Sequence, residues 1–417
     1  MLSMLSLLFA RYHQRRTSAF IVGFFRILYG LVALQEIFFL LYFNHLIFDP
    51  IPYIDVEFPM IPLFLSIWAV VAACVVVGYK SQFTMTANYL FWIVFVNFTP
   101  MQRDFDGGFD LFMIGVGAFL IFMPTGRALS VDNLIYKLQF KYKNKNIPSI
   151  PKDVSVLVVL MPVLICLGFL YFDSAIHKMF APHWRNGLGA WLPSSMPYYI
   201  SALDLSWLLN IEWVQKSIGY VILVFQFSFI FLFFRRNFRP LFLLVGAGLH
   251  FGITITFNIY PFGVGMLVVY VLMVPFSWWQ GIANKCVYKA PILTVFYDGD
   301  CPLCNRTATI IHHFDILQGI AFKDLQSYAA SEPKLATYAQ QDLLADLYAL
   351  DSEGIVYQGV DTYSRILIKM RYMAVLGWIL RLPVIYQLAK LVYRRIAEGR
   401  ERTVCDASCL PEAIKKD

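Results

Sequence analysis

Apolar residues run almost unbroken through eight stretches of the chain, at 18–41, 61–78, 83–99, 109–124, 154–176, 218–234, 239–258 and 262–280. A helix crossing the hydrocarbon of a bilayer needs roughly 17–25 such residues, and there it satisfies its own backbone hydrogen bonds. The pattern therefore predicts an α-helical polytopic membrane bundle of eight spans, with Trp191 to Leu209 lying at an interface. After Gln280 the texture changes. Short β-branched and aromatic runs at 292–297, 320–323, 346–350 and 355–358 read as strands, the last two joined by turn chemistry at Asp351-Ser-Glu-Gly354. Helical periodicity fills the gaps at 302–316, 334–344, 361–373 and 384–398. The expected organisation is a membrane domain over 1–280, a linker over 281–290 and an α/β domain over 291–417.

Composition agrees with this division. Of 417 residues 59% are apolar and 15% charged, well beyond the apolar share of an ordinary soluble domain. The formal charge of +7 is mostly a topology signal, because Lys and Arg gather in cytoplasmic loops. With eight spans, one set of loops carries fifteen basic residues, among them Arg15, Arg16, Lys80, Arg127, Arg235 and Lys285. The opposite set carries four, Arg103, Lys178, Arg185 and Lys216. Both termini are thus expected in the cytoplasm, and the setting to be a bacterial inner membrane. A nucleic-acid partner is not needed to explain the charge. Met1 to Ala10 is apolar but lacks a small-residue cleavage site, so a cleaved signal peptide is not expected.

The densest chemistry lies at Val295-Phe-Tyr-Asp-Gly-Asp-Cys-Pro-Leu-Cys304, a C-x-x-C at the junction of a strand and an amphipathic helix. A thiolate at a helix N-terminus is stabilised by free backbone N–H groups and the helix dipole, and proline suits the first turn because its missing N–H is not required there. Cys301 is the expected nucleophile and Cys304 the resolving thiol. Asp298 and Asp300 flank them and either relay a proton or raise the thiol pKa by repulsion. A four-thiolate zinc site that adds Cys405 and Cys409 is the competing reading, but the strand-to-helix setting favours redox, and no metal is expected. Cys74, Cys166 and Cys286 read as core or boundary residues. Strand, C-x-x-C, helix, strand, hairpin and closing helices is the order of a thioredoxin-like fold.

These residues also carry a resemblance. Tyr297 to Cys304, Leu350-Asp-Ser-Glu-Gly-Ile-Val-Tyr-Gln-Gly359, Leu382-Pro383 and Tyr393 to Arg400 are similar to the DCC family of thiol-disulfide oxidoreductases over 291–410. The resemblance implies a thioredoxin-like fold with Cys301 and Cys304 as its redox pair, working on a thiol-containing protein or a small-molecule redox partner. One departure is that no proline directly precedes the strand at 346–350, where thioredoxins keep the cis-Pro that aligns a substrate backbone.

Ionisable residues at membrane depth are costly and are functional candidates by default. Arg26 and Glu36 fall in the first stretch, Asp173, His177 and Lys178 near the end of the fifth, and His250 in the seventh. Asp173 and His177 are one helical turn apart, so the carboxylate is placed to orient the imidazole. The bland alternatives are snorkelling for Arg26 and Lys178 and a helix-to-helix hydrogen bond for His250. Phe25-Arg26-Ile-Leu-Tyr-Gly30, Pro124 to Asp132, Tyr171 through His177-Lys178 to Trp184 and Gly187, and Leu249-His250 resemble the membrane domain of vitamin K-dependent gamma-carboxylase and its bacterial HTTM relatives over 15–280. That resemblance implies that Lys178 is the base that deprotonates a reduced, vitamin K-like quinone. No His lies near Asp110, where the carboxylase keeps one beside its active lysine, so binding of a quinone-type ligand is the expectation rather than glutamate carboxylation.

The reading as a whole is a membrane-bound thiol-disulfide oxidoreductase whose bundle holds a hydrophobic, quinone-type ligand. The alternative is a non-enzymatic lipid or peptide binding module with a redox-sensing dithiol domain.

Overall fold

The computed structural model describes residues 10, 12–54, 58–103, 108–139, 152–199, 201–235, 237–328 and 332–400. The chain divides into two compact units, one of Met1–Asn133 with Ile150–Phe276 and the other of Leu134–Ser149 with Ser277–Asp417.

Each apolar stretch becomes a helix. These are α1 (Ala19–Tyr42), α2 (Ile61–Val77), α3 (Ser81–Phe98), α4 (Phe109–Phe122), α5 (Val156–Phe180), α6 (Glu212–Leu232), α7 (Arg239–Thr256), and the pair α8 (Pro261–Met273) and α9 (Phe276–Cys286). All lie in the first unit except α9, which lies in the second from Ser277 onward. Among the described residues four of them, α1, α5, α6 and α7, are long and apolar enough to cross a membrane, or five spans if α8 and α9 count as one. The expectation of eight spans is thus not met by length and composition. With a rise of ~1.5 Å per residue, α2 covers ~26 Å and α4 ~21 Å, both short of a hydrocarbon core of about 30 Å. α3 is 18 residues long but carries Ser81, Gln82, Thr84, Thr86, Asn88 and Asn97. α8 and α9 meet at 91°, because Pro275 between them has no N–H to continue the ladder. α9 also makes a helix of part of the stretch read as a linker. Inside α5, Pro162 is followed by a π-helical segment over Val163–Phe169, the register shift expected where a proline withdraws a donor. Trp191 to Leu209 forms only short helical turns, Trp191–Ser194, Pro197–Tyr199 and Ser206–Leu209.

Polar side chains knit this unit from within. Tyr29 on α1 donates to the Met113 carbonyl on α4 at 3.1 Å and accepts from Asn88 on α3, whose amide oxygen in turn accepts from the Trp68 indole on α2 at 2.9 Å. A short antiparallel pair, β1 (Arg16–Ser18) and β2 (Asp153–Ser155), ties the start of α1 to the start of α5.

The second unit is built on a four-stranded mixed sheet of order β4-β3-β5-β6: β3 (Leu293–Tyr297), β4 (Ile320–Asp324), β5 (Tyr348–Asp351) and β6 (Val356–Gln358). β3 pairs with β4 in parallel through the crossover helix α10 (Pro302–Phe314), and β5 and β6 add antiparallel as a hairpin. The helices α11 (Gln340–Ala345), α12 (Val360–Lys369) and α14 (Pro383–Glu398) fall near the ranges expected at 334–344, 361–373 and 384–398, and a further short helix, α13 (Ala374–Ile379), lies between the last two where none was expected. Alternate residues of β3 face opposite sides, as a strand requires. Leu293, Val295 and Tyr297 pack with Cys301, Cys304, Ile311 and Ile366 in one core, and Phe296 packs with Leu325, Leu335 and Tyr348 in the other. The first of these cores holds both cysteines.

A buried dithiol and two polar clusters

The loop from Asp298 to Cys301 leaves the end of β3 and turns into α10. The Asp298 carboxylate, 2% exposed, accepts from the Asp300 backbone N–H at 3.0 Å and from the Gln326 side-chain amide, while Gln326 Oε1 accepts from the Gly299 N–H at 3.0 Å. Asn305 donates to the Gly299 and Cys301 carbonyls at 2.8 and 3.1 Å. The loop is therefore fixed by side chains on both sides of it. Cys301 sits at the N-cap of α10 with extended backbone, Pro302 takes the first helical position, and the Cys301 sulfur accepts from the Cys304 N–H at 3.2 Å. This is the cap geometry that serine or aspartate supplies in other helices, here supplied by a thiol.

The two sulfurs are 2.7 Å apart, with the Cys304 thiol donating to Cys301 Sγ. That hydrogen bond, followed by the Cys304 backbone N–H and the Arg400 guanidinium, brings the Cys301 pKa down to about 6 against the opposing effects of burial and of Asp298. Cys304 moves the other way: donating to its partner and burial both push its pKa up, only partly offset by Arg400. The arrangement thus favours the thiolate on Cys301 and the thiol on Cys304. Both residues are buried, at 1% and 8% exposure. Arg400 Nη1 lies 3.5 Å from the Cys304 sulfur, and the rest of its guanidinium is held by the Ala397 carbonyl at 2.9 Å and by the Ala345 carbonyl. Beside Cys304 a cavity of about 450 Å³ is walled by Leu303, Tyr363, Val392, Tyr393, Ile396 and Arg400 among others, within the range of small-ligand pockets.

The start of β5 completes the site. The Leu347 N–H donates to the Tyr393 hydroxyl at 3.0 Å, and the Leu347 carbonyl accepts from the Gly359 N–H and from Thr362. Asp346 next to it accepts from Gln358 and pairs with Arg394 at 3.2 Å. The backbone just before β5 is thus closed by α14, through Tyr393.

Of the residues expected from sequence, Cys301, Cys304, Asp298 and Asp300 come together. Asp298 orders the loop through its hydrogen bonds, while its charge works against the Cys301 thiolate. Gln326 and Arg400 carry comparable weight and had no role in the sequence reading. Gln326 stands just after β4, 28 residues from Asp298 along the chain, and nothing local marks it. Arg400 belonged to a family-like stretch but had no assigned partner. Cys405 and Cys409 lie outside the described residues, so the zinc alternative involves residues for which no geometry is described.

The membrane-depth residues fall into separate groups. Lys178 turns toward protein: its ammonium donates to Gln226 Oε1 on α6 at 3.0 Å and to the Ser174 hydroxyl, and lies 4.9 Å from the centre of the Trp184 ring. That ring fits closely over Gly189, where an added Cβ would come within 2.1 Å of it. Asp173 and His177 form their expected pair at 3.6 Å, both largely exposed. His250, buried, bonds the Tyr171 hydroxyl, which is also 2.8 Å from the Tyr270 hydroxyl. Arg26 is fully buried and donates to the carbonyls of Thr125, Val76 and Leu129. The snorkelling alternative therefore does not describe Arg26. Much of the Pro124 to Asp132 motif has the same structural reason: its carbonyls receive Arg26, and Asp132 caps α3 by accepting from the Lys80 and Ser81 N–H groups at 2.7 and 2.8 Å.

Residues 295–406 match the family model of the DCC1-like thiol-disulfide oxidoreductases. A protein of Arabidopsis thaliana described as uncharacterized and chloroplastic is 30% identical over 131 residues, which cover 30% of this chain and 59% of that protein. The chain thus spans under two thirds of this relative's length. No solved structure matches the chain. The family match and the apolar helices together support a membrane-associated redox protein, a redox enzyme in general terms.

Proposed function

We propose that the chain is a membrane-anchored thiol-disulfide oxidoreductase with a thioredoxin-like domain, in which Cys301 attacks and Cys304 resolves. The observation that carries this is the asymmetry of the two sulfurs, one at a helix N-cap receiving both an S–H and an N–H, the other donating. The Cys301 thiolate attacks one sulfur of a partner disulfide. The new S–S bond releases the other partner sulfur as a thiolate, which takes up a proton. Once Cys301 is in the mixed disulfide its negative charge is gone, so the main influence raising the Cys304 pKa goes with it, while Arg400 continues to favour the thiolate. Cys304 then loses its proton and attacks Cys301 Sγ. The domain leaves oxidised by two electrons and the partner leaves as a dithiol.

Trapping tests this order. In full-length protein Cys304→Ser should accumulate mixed disulfides with partner thiols, and Cys301→Ser should not. The reverse pattern would make Cys304 the nucleophile and sink the assignment. The same residues read the topology: the basic-residue bias favours a cytoplasmic dithiol, so a membrane-impermeant thiol reagent added to intact cells should leave Cys301 and Cys304 unmodified.

A second reading concerns the membrane unit, favoured by the inward engagement of Lys178. On the likeness to the carboxylase-type HTTM membrane domain, a quinone-type ligand fits a lysine, a carboxamide and an indole face in one place, and Lys178, Gln226 and Trp184 are the residues that would hold it. A reduced quinone supplies an acidic hydroxyl when bound. Lys178 would move a proton at Nζ, and Gln226 and Ser174 would orient that nitrogen. Lys178→Arg keeps the charge and removes the base. Quinone-type material carried through purification by the native protein and lost with Lys178→Ala would support the ligand site, whereas hydroquinone oxidation that persists in full with Lys178→Arg would rule out Lys178 as the base and leave the binding-module reading.

A further inference from the structure

The closing helices of the second unit are built the wrong way round for a soluble domain. α14 turns Tyr386, Ala389, Tyr393 and Ala397 inward: Tyr386 donates to Asp361, Tyr393 meets Leu347, and Ala389 and Ala397 wall the cavity beside Cys304. The opposite face, at the helical spacing i, i+4, i+7, consists of Val384, Leu388 and Leu391, which are 82%, 63% and 57% exposed. α13, which precedes it in the chain, also exposes Val375 and Trp378, at 70% and 58%. An exposed apolar stripe of this kind on an outward helix face marks a surface that something covers.

Charge identifies the cover. Between Arg371 and Arg400 the chain carries six basic residues against a single acid, Glu398; Arg394 is paired with Asp346 and Arg400 is engaged beside Cys304, which leaves Arg371, Arg381, Lys390 and Arg395 for the surface. Arg395 stands one turn beyond Leu391 on the same face, where a guanidinium can reach lipid phosphate while its stem lies along apolar surface. The Arg381 guanidinium lies 5.5 Å from the centre of the Trp378 ring, an aromatic and a cation together, as at membrane interfaces. A helix with an apolar stripe and basic flanks lies in the plane of an anionic bilayer. The bilayer is also close along the chain, because β3 begins seven residues after α9 ends. A second copy of the chain would match apolar face to apolar face but would bring these cations against each other.

We propose that α13 and α14 seat the dithiol domain on an anionic membrane surface, with Val375, Trp378, Val384, Leu388 and Leu391 entering the headgroup and acyl boundary. Val392 and Ile396 both wall the cavity beside Cys304 and stand about half exposed beside this face. Seating therefore turns the mouth of that cavity toward lipid and directs the dithiol to thiols presented at the membrane.

The test uses the full chain in liposomes of phosphatidylcholine and phosphatidylglycerol doped with a diazirine phospholipid. Lipid adducts are mapped by mass spectrometry after irradiation. Adducts are expected on peptides covering 375–392, with the hairpin around Glu353 as the unlabelled reference, and they should fall severalfold in phosphatidylcholine alone. Leu388→Glu with Leu391→Glu, both outward-facing, should remove them while adducts on α1 and α5 persist. Adducts confined to the spans, adducts indifferent to the double substitution, or cross-links between copies through the same peptides would each overturn the proposal.

Discussion

Two arginines, Arg26 buried in the first unit and Arg400 half-buried in the second, show how differently a guanidinium can be used. Arg26 in α1 is wholly enclosed and donates to three backbone carbonyls from α2 and from the segment after α4. Those carbonyls cannot titrate, so the contact serves the fold. Arg400, after α14, divides its donors between two carbonyls and the Cys304 sulfur, and the sulfur can titrate. One cation holds a structure; the other biases a proton. A buried charge is thus read best from what accepts its hydrogen bonds, not from how deeply it lies.

Breaking the two contacts separately should give unlike results. Arg26→Met leaves three carbonyls without their donor, each costing about 1–3 kcal/mol, so the membrane unit should lose stability by several kcal/mol. This would appear as a fall in thermal midpoint and in detergent-extracted yield. Arg400→Met should leave the fold in place and slow the resolving step roughly three- to tenfold, since a pKa change of one unit alters the thiolate fraction tenfold and nucleophilicity compensates in part. The readout is a longer-lived mixed disulfide in rapid-quench experiments, with Arg400→Lys recovering part of the rate.

Smaller effects sharpen the same contrast. Cys304→Ala removes the principal hydrogen bond that lowers the Cys301 pKa, so the alkylation midpoint of Cys301 should rise toward the ordinary thiol value of about 8.5. Tyr393→Phe removes the acceptor for the Leu347 N–H and should cost about 1 kcal/mol, measured as a small shift in denaturation of the dithiol domain.

What could be read in the sequence follows the range of the interactions. The dithiol turn was legible because everything that makes it, strand end, Cys-Pro-x-Cys and the amphipathic helix, lies within about one turn of chain on either side. The strands at 293–297 and 320–324 were legible for the same reason, as short alternating runs with breakers at their ends. Span lengths were not, because hydrophobic windows do not mark where a helix stops. α2 ends at Gly78, whose left-handed φ of 69° and close approach to the Arg26 guanidinium leave no room for a side chain. α4 ends at Met123, whose extended backbone leads directly into Pro124. The partners of Arg26 lie 50 to 103 residues away along the chain, and Cys304 meets Arg400 across 96. No local pattern marks such pairs. In the first unit the sequence does not show which of the costly residues group together: Lys178 lies with Trp184 and Gln226, His250 with Tyr171, and Arg26 with neither.

The account turns on Cys301 being the thiolate of the pair at neutral pH. The most direct measurement is the pH dependence of iodoacetamide alkylation in the fully reduced, full-length protein, with the modified residue identified by peptide mapping at each pH. Because a lowered pKa means the reactive form is gained as pH rises through that value, the rate at Cys301 should climb through a midpoint near 6 and level off above it, with Cys304 modified later. Modification of Cys304 first, or a single rise near the ordinary thiol value of about 8.5, would contradict it.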